Sequence, residues 1–172
     1  MDQKIVSHKG WSRRLAVESD LTHVFDIYMR PSVIPYLGFD PMPLEEFRRQ
    51  VFDDLIRSGC FFIIEHNDTV AGFLKVSRYP GRANHVAYIG SFAIHPDLHG
   101  AGAAKSIMED VIANLQADGV KRIELIVESD NPKAITFYQK LGFNLEGTLR
   151  NFYKRADQNH YVDDHIMSRL FV

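Results

Sequence analysis

The sequence predicts an α/β fold: a central mixed sheet of about seven strands, mostly antiparallel, with one parallel strand–helix–strand crossover and flanking helices. Three observations predict it. Residues 61–65 (FFIIE), 70–79 (VAGFLKVSRY) and 85–94 (HVAYIGSFAI) are successive strand-like runs, and His66-Asn67-Asp68-Thr69 between the first two reads as a hairpin turn, so these strands form an antiparallel meander. Residues 101–118 then place Ala104, Ile107, Met108, Val111, Ile112 and Leu115 on one helical face and lead into the strand 122–127 (RIELIV). A helix between two strands of one sheet makes a right-handed crossover and sets those strands parallel. Finally, 172 residues with 45% hydrophobic and 24% charged side chains match one globular domain, in which about 70% of the surface is buried on folding. There is no repeat, linker or low-complexity tract, so residues 1–172 are expected to form a single domain.

The remaining elements follow in order. Residues 11–17 form a short strand candidate; residues 21–29 put Leu21, Val24, Phe25 and Tyr28 on one helical stripe, with Asp20 placed to cap it. Pro31, Pro35, Pro41, Pro43 and Gly38 forbid a regular element over residues 30–43, a loop long for a compact domain. Residues 44–57 read as a second helix, with Leu44, Phe47, Val51 and Leu55 in register and Gly59 beyond its end. Gly90, inside a strand run, signals a bulge or a close backbone approach. Residues 131–141 form a shorter helix ended by Gly142, and residues 143–150 and 161–171 read as two closing strands.

Composition excludes several classes. Twenty Lys and Arg against 22 Asp and Glu give a net charge of −2, which argues against a general nucleic-acid surface. No apolar run approaches the ~20 residues needed to span a bilayer. The start, Met1-Asp2-Gln3-Lys4, leads into no signal-type segment, so the expectation is a soluble, cytoplasmic protein without membrane partners. Cys60 is the single cysteine; it closes no internal disulfide and reads as a small buried hydrophobe. His95 and His99 have i, i+4 spacing, but Pro96 breaks the helix this would require and no cluster completes a site, so no metal is expected.

The chemistry concentrates between residues 95 and 105, HPDLHGAGAAK. Gly100, Ala101, Gly102, Ala103 and Ala104 leave the backbone almost bare where a helix begins, and the unpaired N–H groups of a helix N-terminus attract phosphate. A mononucleotide P-loop fails here: aligning on Lys105-Ser106 puts His99 and Ala104 where its glycines belong. The dinucleotide fingerprint fails as well, because Lys105 occupies its third glycine position. The loop instead resembles the pyrophosphate pattern Gln/Arg-x-x-Gly-x-Gly/Ala of the GNAT (Gcn5-related) N-acetyltransferases, with His99 first, Gly102 fourth and Ala104 sixth. Residues 131–143, NPKAITFYQKLGF, are similar to the family's second signature, Asn-x-x-Ala-x-x-x-Tyr-x-x-x-Gly-Phe. Glu146-Gly147-Thr148-Leu149-Arg150, Tyr161-Val162-Asp163-Asp164 and Met167 resemble the branch of small bacterial amino-acid and ribosomal-protein N-acetyltransferases.

This resemblance implies acetyl-CoA as co-substrate and an amine, small molecule or peptide, as acceptor. It implies that Phe92, Ala93 and Ile94 bond the pantetheine arm, that His99, Gly100, Ala101, Gly102, Ala103, Ala104 and Lys105 hold the pyrophosphate, and that Asn131 meets the cofactor arm near its reacting end. Tyr138 lies seven residues after Asn131, about two helical turns, so both side chains can share a face. A phenol keeps its proton at neutral pH and can give it to a departing thiolate; packing in a stripe with Ile135, Phe137 and Leu141 is the competing reading. Some family members carry a glutamate five residues before the asparagine, a position held here by Ile126. Glu124 and Glu128 share that strand face; Glu128 acting through water and both serving as surface carboxylates are the two readings. Asp163-Asp164-His165 reads either as a substrate contact or as an edge-strand charge cluster. For the loop 30–43, with Tyr36 and Phe39, an acceptor wall, core packing and a homodimer contact all remain open. A module that binds acyl-CoA without catalysis and a purely structural domain are the rival functions.

Overall fold

A computed structural model describes residues 5–6, 10–100 and 102–171. Its sheet has eight strands in the order β1-β2-β3-β4-β5-β6-β8-β7. The strands are β1 (Ile5–Val6), β2 (Trp11–Leu15), β3 (Phe61–His66), β4 (Thr69–Arg78), β5 (Val86–Ile94), β6 (Arg122–Glu128), β7 (Asn144–Tyr153) and β8 (Val162–Leu170). The two-residue β1 accounts for the strand beyond the expected seven. Only β5 and β6 pair in parallel, and α4 (Ala103–Ala117) makes the crossover between them. The β3–β4 hairpin turns through Asn67 (φ 49°) and Asp68 (φ 60°), two left-handed residues as a type I′ turn requires.

Helices cover both faces of the sheet. On one side α1 (Leu21–Tyr28) and the helical segment 44–57 bury Val24, Tyr28, Phe47 and Phe52 against Phe61, Ile63 and Phe73. On the other, α4 and α5 (Pro132–Lys140) pack Ile107, Met108, Val111 and Ile112 against Leu74, Ile89, Ile123 and Leu125. Adjacent Phe73 and Leu74 serve opposite cores, as strand alternation demands. Among the described residues no helix is long and apolar enough to cross a membrane.

Two local expectations are corrected. The helix over residues 44–57 is not uniform: α2 (Leu44–Phe47) passes through a π-helical turn (Arg48–Phe52) into α3 (Asp53–Arg57). Phe47, Val51, Phe52 and Leu55 are all buried along this segment, and the π-helical turn is a local widening of the helix between them. Asp20 does not cap α1. It ends a short 3₁₀ turn, and its carboxylate folds back to accept two bonds from Arg14 and one from the Val17 N–H, all at 2.8 Å.

Candidate functional site

The site begins with a defect in the sheet. Phe73 pairs with Ala93 and Lys75 with Gly90, so two steps along β4 oppose three along β5. The extra residue falls at Ser91–Phe92, directly after the Gly90 that the sequence marks, and Ser91 takes the left-handed conformation (φ 46°). Gly90 gives room for the Tyr88 ring: an added Cβ would lie 2.8 Å from it. β5 leaves its parallel neighbour after Tyr88, just ahead of the bulge. The two strands pair only through Val86–Arg122, Ala87–Ile123 and Tyr88–Glu124, although β5 runs on to Ile94 and β6 to Glu128. A wedge therefore opens between them.

Hydrogen-bond alternation decides which peptide groups line the wedge. The His95 N–H donates to Ala71 O at 2.8 Å, so the Ala93 peptide is the next to face β4 and that of Ile94 faces the opening. The Ile94 carbonyl is engaged by the His99 ring, whose Nε2 donates to it at 2.9 Å and so carries the proton. His99 thus pins the loop to the strand end, a side-chain role that its place in the motif does not reveal. The Ile94 N–H stays directed at the wedge.

The loop then delivers the start of α4. Gly100 (φ 88°) and Gly102 (φ 73°) both adopt left-handed backbone, with nothing within 4 Å of an added Cβ at either. These glycines answer to conformation rather than crowding, and they keep the approach to the helix open. Ser106 N–H makes the first helical bond, to Gly102 O, and Gly102 provides no side-chain cap. The N–H groups of Ala103, Ala104 and Lys105 consequently head α4 without helical acceptors, at the positive end of a 15-residue dipole. The Ala103 methyl is buried in the core, and Lys105 lies 3.7 Å from Glu109 on the surface. Ala101 lies outside the described residues. Such a backbone cradle can receive an anionic phosphate group.

Across the wedge, α5 contributes Asn131 and Tyr138. Asn131 Oδ1 accepts from Ala134 N–H at 3.2 Å, capping α5 and leaving the amide NH₂ as the part able to meet a ligand. The aromatic series Phe92, Phe137, Tyr138, Phe143 links the β5 bulge to α5, with ring centroids 6.3, 5.2 and 5.7 Å apart. Burial, with added repulsion from Glu128, pushes the Tyr138 phenol above its ordinary pKa, and burial does the same to Tyr88. Tyr138 is held protonated.

An acidic cluster lies alongside. The strand-edge reading of Asp163-Asp164-His165 is corrected: β8 lies between β6 and β7, and Asp164 is buried directly opposite Glu128. Asp163 accepts from Asn151 N–H at 2.7 Å, and His165 Nδ1 lies 3.0 Å from Thr148 Oγ1. The two glutamates of β6 also differ. Glu124 is bonded by Tyr79 and Arg122, whereas Glu128 is half-buried with no such cation bonded to it among the described residues, and burial raises its pKa to about 7. Among the described residues no group of three or more His, Cys, Asp or Glu is placed to hold a metal ion. The Cys60 thiol, half-buried, lies 3.2 Å from Ser58 Oγ.

Arg155 was not anticipated from sequence. Its guanidinium donates to Asp130 at 2.6 Å, to Tyr153 OH at 2.6 Å and to Pro35 O at 3.0 Å, and packs over the Tyr36 and Tyr153 rings. Together with the Ala156 N–H bond to Asp40 at 3.1 Å, it fastens the proline-rich loop 30–43 to the segment after β7. That loop therefore stands beside the acidic cluster.

Comparison with known proteins agrees with this geometry. The family model for the acetyltransferase (GNAT) family matches residues 21–143. A mycothiol acetyltransferase of Brachybacterium faecium is 35% identical over 82 residues, 47% of this chain and 25% of that protein. An uncharacterized N-acetyltransferase of Mycobacterium bovis is 32% identical over 107 residues, 62% of this chain and 64% of that protein. The chain thus spans between a quarter and just under two thirds of these curated relatives. Among solved structures, a GNAT-family acetyltransferase from Bacillus anthracis superimposes with TM-score 0.79 at 17% identity, covering 99% of this chain and 98% of the other. The ribosomal-protein-S18-alanine N-acetyltransferase of Escherichia coli gives 0.72 at 24% identity, covering 93% of each. At these identities the structures establish the fold. From the family match across the meander, the crossover and the Asn131–Phe143 signature, the chain belongs to the GNAT family of acetyltransferases.

Proposed function

We propose that residues 1–172 form one acetyl-CoA-dependent N-acetyltransferase domain, which moves an acetyl group to a primary amine by direct attack on the thioester. The observation that carries this reading is the meeting, in one wedge, of the α4 N–H groups behind left-handed Gly102, the outward-facing Ile94 N–H and the partly buried Tyr138, whose phenol is held protonated. When bound, acetyl-CoA supplies an activated acetyl carbon. The α4 amides and Gly102 hold its pyrophosphate, while the strand amides of Phe92 and Ile94 and the Asn131 NH₂ align its pantetheine arm. The Ile94 N–H is of the donor type that polarises a carbonyl in the wedge. Tyr138 gives its proton to the departing sulfur. The surroundings that keep the phenol protonated also raise the basicity of a thiolate formed beside it, which favours the transfer.

The test is release of free thiol from acetyl-CoA across a panel of small amines, amino acids and peptides. The reading predicts release that depends on both acetyl-CoA and one class of amine. Binding of acetyl-CoA with no release for any amine would show a binding module instead.

A further inference from the structure

We propose that Glu128 and Asp164 form the acceptor station of this site: together they hold the acceptor's primary ammonium beside Tyr138, and Glu128 takes the proton that must leave before the nitrogen attacks. The proposal rests on the acetyl-transfer reading and adds the charge of the acceptor and the group that activates it.

The pair stands directly opposite across β6 and β8, on one face of the sheet. Like charges so placed repel, and here Asp164 is buried while Glu128 is half-buried. Asp164 is only 6% exposed, and its Oδ1 has no hydrogen-bond partner. A buried carboxylate oxygen left unpaired is costly, so an orphan acceptor facing a second carboxylate calls for a cation or a shared proton. The groups that act on Glu128 come from every side: Asp164 from β8, Asp130 from the segment after β6, Arg155 from the segment after β7, and the phenols Tyr88, Tyr138 and Tyr153 from β5, α5 and β7. Arg155 is the cation among them, and its donors are engaged by Asp130, Tyr153 and Pro35 O. A primary ammonium offers three donors and one positive charge, which two carboxylates can satisfy.

The protons balance as follows. One ammonium N–H breaks and its proton passes to the Glu128 carboxylate, leaving a nitrogen lone pair. The C–N bond to the acetyl carbon forms and the C–S bond breaks; sulfur leaves with the bonding pair and takes the Tyr138 proton. The second proton shed by nitrogen restores the phenol, and Glu128 releases its proton to solvent. Ammonium and thioester thereby give amide, thiol and one free proton. Burial places Glu128 at about 7, where a carboxylate both accepts and returns a proton at neutral pH.

Two measurements on the full chain test the pair. In amide chemical-shift titrations, benzylammonium should bind about tenfold or more tightly than benzyl alcohol; Glu128→Gln and Asp164→Asn should each remove about tenfold of that preference and leave the alcohol unchanged. In thiol-release assays, Glu128→Gln should lower kcat/KM about 100-fold at pH 7 and move the acid limb of its pH profile from near 7 to the acceptor's own amine pKa. Equal ammonium binding by wild type and Glu128→Gln, or an unmoved profile, would overturn the proposal. A wild type that releases no thiol refutes the acetyl-transfer reading, while the binding titration still judges the pair. Should Asp164→Asn fail to fold, Glu128→Gln decides alone.

Discussion

Replacing Tyr138 by phenylalanine deletes one hydroxyl and keeps the ring between Phe137 and Phe143, 5.2 and 5.7 Å away. Stability should therefore change by no more than about 1 kcal/mol, the net worth of one ordinary hydrogen bond. The catalytic effect should be far larger. A positioned general acid contributes about 10²- to 10⁴-fold, or about 2.7–5.4 kcal/mol at 1.36 kcal/mol per tenfold. Burial holds the wild-type phenol protonated throughout the neutral range, so the loss should be the same at pH 6.5 and pH 8 to within about threefold. Turnover measured as thiol release at saturating acetyl-CoA and acceptor gives the first number, and calorimetric titration of acetyl-CoA gives the control. A turnover fall of at least about 100-fold with affinity unchanged agrees with proton donation. Unchanged turnover, or a fall matched by an equal loss of acetyl-CoA affinity, would assign Tyr138 to packing and refute the acid role.

Two further outcomes test the frame that shapes the wedge. An alanine Cβ at Gly72 would lie within van der Waals distance of the Ala93 carbonyl and 2.9 Å from the Ile94 side chain, so Gly72→Ala must push β4 away from β5. Denaturant unfolding should show a loss of about 1–3 kcal/mol, and acetyl-CoA affinity should fall with it, since the displaced Ala93–Ile94 stretch is the one proposed to meet the pantetheine arm; wild-type values for both would contradict this. The Asp20 carboxylate is disfavoured by burial, yet the Arg14 guanidinium and the Val17 N–H outweigh that and hold its pKa below the ordinary range. A depressed native pKa gives stability that is full above the unfolded value of about 3.9 and is lost as pH falls through the native value. Asp20→Asn should cost roughly 1.5–3 kcal/mol at pH 7 and flatten the acid side of the melting-temperature profile below about pH 4; an unchanged acid limb would show that Asp20 contributes no such stability.

What the sequence made legible follows from range. The meander, the crossover helix and the type I′ turn at Asn67-Asp68 are written in neighbouring residues, and so is the spacing from Asn131 to Tyr138 on one short helix. Gly90 pointed to the bulge within one residue, although Ser91 carries the left-handed backbone. The π-helical turn stayed hidden because the Leu44, Phe47, Val51, Leu55 spacing is satisfied without it, and a buried Phe52 beside Val51 fits an ordinary helical face as well. The acidic cluster depends on strand order. Placing β8 between β6 and β7 turns Asp164 from an edge charge into a buried partner of Glu128, and no local pattern encodes that order. Arg155 is further removed, since its acceptor Pro35 O lies 120 residues away and no local pattern links the two. His99 illustrates the same limit: its position in the loop motif was readable, but its bond to Ile94 O required the loop to fold back on the strand.

The central claim is that backbone amides at the head of α4 hold acetyl-CoA, and calorimetric titration of three proteins tests it most directly. Wild type should bind acetyl-CoA. Gly102→Ala, which adds only the left-handed backbone cost of about 1–2 kcal/mol, should still bind to within about tenfold. Gly102→Glu, which sets bulk and negative charge before the Ala103, Ala104 and Lys105 amides, should show no binding heat while keeping its far-ultraviolet circular dichroism. Binding of acetyl-CoA by Gly102→Glu with wild-type affinity would contradict the account.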